Sequence, residues 1–172
     1  MESRSSDERV KQLQCLLGQL SAATCRIALR GFLGQQSLLP PEAIKSAVLD
    51  LLAGANDADL ARLVRVHEAI DADQALAAEL LGSGDAAAES RARDAWIVVL
   101  VEEILGSTQT EFDQAVEVQD MIISGANAGD IDVPVEVPWW RDITNARYSS
   151  EAAAAYLNHV INWTQSLRSR LS

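Results

Sequence analysis

The hydrophobic pattern along the chain is mostly helical, and one stretch of it has no polar face at all. Trp96 to Val101 is a run of six apolar residues, which leaves water no side to approach from and predicts a segment enclosed by others. Val and Ile in such a run also suit a strand, so the flanks decide. Asp85 to Ala95 is rich in Ala, Glu and Arg, with Glu89 and Arg93 at the i,i+4 spacing, and nothing breaks the pattern until Gly106. Asp85, after Gly82-Ser83-Gly84, is placed as the N-cap. The spacing therefore predicts a central helix from about Asp85 to Gly106.

Upstream, Val10, Leu13, Leu17, Leu20, Thr24 and Ile27 keep a 3-4 spacing, predicting one long helix from Ser6 or Asp7 to Gly31 or Gly34. Pro41 opens a second helix, with Ile44, Val48, Leu51 and Leu52 inward, and Gly54 closes it. Asp57 is the expected cap of a third, with Leu60, Leu63, Val64 and Ile70 inward. A short fourth, after Asp71-Ala72-Asp73-Gln74, would bury Leu76, Leu80 and Leu81. Beyond the central helix, Thr108 and Glu111 stand at capping-box spacing. They predict a helix that buries Phe112, Ala115, Val116, Ile122 and Ile123 and ends at Gly125. The last helix follows Ser149 or Ser150 and buries Tyr156, Leu157, Val160, Ile161 and Leu167.

One stretch breaks this rhythm. Ile131, Val133, Val135 and Val137 alternate with Asp132, Pro134, Glu136 and Pro138, a period of two that predicts an extended segment. Prolines on its polar side restrict it to an edge strand or a polyproline-like strap. The expectation is thus an all-α, single-domain bundle of about five to seven helices over residues 6–172, with an irregular extended segment near 130–142. Residues 1–5 read as a frayed tail. At 172 residues the chain is long enough for a real core.

Charge changes the picture more than composition does. The net charge is −11, and no Lys or Arg occurs between Arg93 and Arg141, where ten acids do. Such a surface disfavours a direct grip on nucleic-acid phosphates and suits either simple solubility or a basic partner. The N-terminus has no apolar signal core and no run approaches a membrane span, so a cytoplasmic protein is expected. Cys15 and Cys25, read as one helix, would have Cα atoms about 15 Å apart, beyond disulfide reach. They predict reduced thiols.

The candidate site is drawn from this acidic region. Trp139 and Trp140, followed by Arg141, fall in the one stretch without helical register. Aromatic residues commonly anchor interfaces, and the alternative is a pair of plugs on a strap lying over the bundle. With Asp130, Asp132 and Glu136 they form the first part of an expected partner-binding surface. Asp113, Glu117 and Asp120 form the second, because i, i+4, i+7 spacing puts three carboxylates on one helix face. Glu117-Val118-Gln119-Asp120 also resembles half of the E-x-x-E…E-x-x-D signature of all-α nucleotide pyrophosphohydrolases, which would imply a Mg²⁺-dependent hydrolase. The other half is missing, since Val99 and Leu100 stand where partners of Glu102 and Glu103 are required. His67 and His159 have no second ligand at i+3 or i+4, and no metal or cofactor motif is present.

Three functions remain open on the sequence. The first is a non-enzymatic acidic binding protein for a basic protein surface, of the immunity, inhibitor, nucleic-acid-mimicking or chaperone-like kind. The second is the Mg²⁺-dependent hydrolase. The third is a structural homo-oligomer subunit joined through the apolar side of Val133 to Trp140.

Overall fold

The structure is a computed structural model that describes residues 2–82, 84–138 and 150–172. Eight helices are found among the described residues: α1 (Glu2–Leu17), α2 (Ala22–Arg30), α3 (Pro41–Ala53), α4 (Asp57–Ala72), α5 (Gln74–Leu81), α6 (Ala86–Leu105), α7 (Glu111–Asn127) and α8 (Ser150–Leu171). There is no strand among those residues. One isolated bridge, Phe32 to Gln35, closes the turn after α2. The fold is all-α, as the periodicity requires.

α6 is the rod at the centre. Asp85 caps it, its carboxylate accepting the Ala88 N–H at 2.6 Å. All six residues from Trp96 to Val101 are buried, Trp96 fully. The Trp96 indole N–H donates to the Thr24 carbonyl at 3.1 Å, so the largest side chain of the core also ties α6 to α2. Around α6 the helices form two groups that share one hydrophobic core. α2, α3, α4 and α5 pack on one another, and α1, α7 and α8 pack on α6.

The count exceeds the sequence expectation because the expected first helix is two. Gly18 takes φ +81°, a left-handed conformation that glycine adopts without steric cost. Ser21 then caps α2, its Oγ accepting the Thr24 N–H at 3.2 Å. The apolar stripe is continuous across this break because both helices pack on α6. Cys15 is exposed on α1 and Cys25 is buried on α2. Burial pushes the Cys25 thiol up to about 12, which keeps it protonated and inert.

α1 begins at Glu2, four or five residues before the expected Ser6 or Asp7; other boundaries move by one to three residues. Asn56, rather than Asp57, caps α4. Thr110, rather than Thr108, caps α7, and Glu111 is its first residue. The Gln114 amide fixes this choice by donating to the carbonyls of Leu105 and Ser107 at 3.4 and 3.2 Å, which satisfies the end of α6. α7 runs past Gly125 to Asn127. A Cβ on Gly125 would lie 2.4 Å from a methyl of Leu33, so this glycine permits close packing instead of ending the helix. Several residues expected inside are substantially exposed, among them Leu60, Val64, Leu76, Phe112 and Ile161.

Candidate functional site

α7 buries Ala115, Val118, Met121, Ile122 and Gly125 along one stripe, and this fixes the direction of everything else on the helix. Asp113, Glu117 and Asp120 fall on the other side, Asp113 and Asp120 exposed and Glu117 half-buried at the margin. The carboxylate row read from the sequence is therefore a real face. α8 packs on α7; burial is the main cause that pushes the Tyr156 phenol up from its ordinary value, and the charge of Asp120 adds to it. Glu111 and Phe112 at the start of α7 line a cleft with Glu151 and Ala154 at the start of α8. The two helices thus begin at the same end of the molecule.

The segment after α7 differs from the expected strap. Ile131 is half-buried and Val137 buried, but Pro134 is also buried, and the Val137 N–H donates to the Pro134 carbonyl at 3.2 Å. This turn abolishes the alternation and throws Val135 outward, where it is 94% exposed. Val133 is 40% exposed. Glu136 is exposed on this turn and Asp132 is exposed just before it. Asp130 is occupied inside the fold. Its carboxylate accepts the Leu33 N–H at 3.1 Å, and its own N–H donates to the Gly125 carbonyl at 2.8 Å. Trp139, Trp140 and Arg141 lie outside the described residues.

The ten acids of the base-free stretch divide into two sets. On α6, Glu103 is held by both arms of the Arg9 guanidinium, at 2.8 and 3.0 Å. Glu102 is held in the same forked way by Arg168, and Asp94 by Arg170 at 3.2 Å. These arginines come from the two ends of the chain, 76 to 94 residues away in two of the three pairs. Burial raises the Asp94 carboxyl above its ordinary value, a shift opposed by Arg170, Arg93 and Arg91. Asp130 is the fourth acid with a partner. The remaining six, Glu111, Asp113, Glu117, Asp120, Asp132 and Glu136, have no ion pair among the described residues. All six belong to α7 and the segment that follows it.

Nothing in the arrangement assembles a metal centre among the described residues. Glu102 and Glu103 are engaged by arginines instead of facing Glu117 and Asp120. His67 is half-buried and His159 exposed. No described helix is long and apolar enough to cross a membrane. A broad cleft of about 830 Å³ lies between α1 and α3, with Asp7, Glu42, Asp50 and Lys11 among its polar residues; none of the residues expected from the sequence lines it. Compared with known protein families, with characterised proteins and with solved structures, the chain matches none.

Proposed function

We propose that this chain is a non-enzymatic binding protein whose α7 face and following turn engage a basic protein surface. One observation carries the reading. Of ten carboxylates in a stretch without cations, the six that lack an ion pair among the described residues share α7 and the segment after it. Beside them stands Val135, an aliphatic side chain almost wholly in water. Carboxylates left unpaired around an apolar contact suit an interface with a polar rim, where charge steers encounter and the apolar residue adds burial.

The row presents a compact set of charges. At about 1.5 Å rise per residue, Asp113, Glu117 and Asp120 lie about 6 and 4.5 Å apart along the axis. Three carboxylates over about 10 Å suit a cluster of Lys and Arg on a folded surface. The partner class is then the basic target of an inhibitor, an immunity-type protein or a chaperone-like adaptor.

The test is affinity capture from the native host with the wild-type chain and with the D113N/E117Q/D120N variant. The expected result is a basic protein retained by the wild type, released by raising NaCl to about 0.5 M, where the screening length is only a few ångströms, and not retained by the variant. Retention by both chains, or binding indifferent to salt, overturns the reading.

A further inference from the structure

We draw no further inference here: the strongest candidate, the cleft of about 830 Å³ between α1 and α3, carries nothing, since Lys11 one turn from Asp7 and the N-terminus of α3 beside Glu42 account for those two acids and nothing in the structure shows what covers its floor of Val10, Leu20 and Ala47.

Discussion

α6 and α7 are consecutive helices, yet their acids beyond Arg93 are used in opposite ways. On α6, Asp94, Glu102 and Glu103 are gripped by arginines brought from the chain ends, and the carboxylates of α7 have no ion pair among the described residues. Depth explains the difference. α6 is surrounded, so any charge on it lies near other helices, where an unpaired anion would be costly. α7 has a single buried stripe and can expose three carboxylates with little penalty. Proximity in sequence says nothing about this; the number of neighbours decides it.

The largest effect belongs to the rod. Trp96→Ala should cost about 3–5 kcal/mol in a urea unfolding curve, through the cavity and the lost bond to the Thr24 carbonyl. A loss below about 1 kcal/mol would mean that α6 is not the enclosed element described. On α7 the comparable packing position is Gly125, where any Cβ meets Leu33 and Ile131. Gly125→Ala should cost about 1–3 kcal/mol by overpacking, offset in part by the better helix propensity of Ala.

These two positions also mark what could be read from the chain beforehand. The rod was legible because six apolar residues in a row admit one environment, and Asp85 announces its start with a local hydrogen bond. Gly125 was not legible as a packing site, since glycine near the end of a periodic run reads as a stop, and only Leu33, far away in sequence, gives it another purpose. The same limit hid the arginine clamps on Glu102 and Glu103, which are contacts across 66 and 94 residues. The break at Gly18 escaped notice because α1 and α2 continue one apolar stripe. The turn at Pro134 escaped because alternation in the sequence does not reveal that a proline can be the buried member. The acidic row of α7 was visible from its spacing, but that no described residue pairs with it needed coordinates.

Smaller effects separate the two sets of acids directly. Glu103→Gln breaks a forked pair in which the carboxylate is 43% exposed, so a loss of about 0–1 kcal/mol is expected, shrinking with added salt. Asp94 should show in the pH profile. Its folded carboxyl is raised, so the folded state holds the proton more tightly than the unfolded chain does. Stability relative to Asp94→Asn should therefore be greatest below the ordinary Asp range and decline as pH rises through the raised value. A relative stability that climbs over that window would mean that Arg170 outweighs burial.

The smallest expected effect on folding is on the face of α7. The D113N/E117Q/D120N variant should unfold within about 0.5 kcal/mol of the wild type, as surface changes away from caps and cores usually do. Asp113 lies in the first turn, where its charge favours the helix by a few tenths of a kcal/mol, and removing mutual repulsion among the three acids works the other way. The tyrosine on α8 supplies an internal check. Asp120→Asn removes the charge that helps to raise the Tyr156 phenol, so its ionisation, followed by ultraviolet absorbance, should move to lower pH while burial keeps it above the ordinary value. An unmoved Tyr156 together with a large loss of stability would mean that α7's acids are held by the fold after all, as those of α6 are. A shifted Tyr156 with stability intact leaves the carboxylates free for a partner, and that combination is what distinguishes an outward face from a second set of clamps.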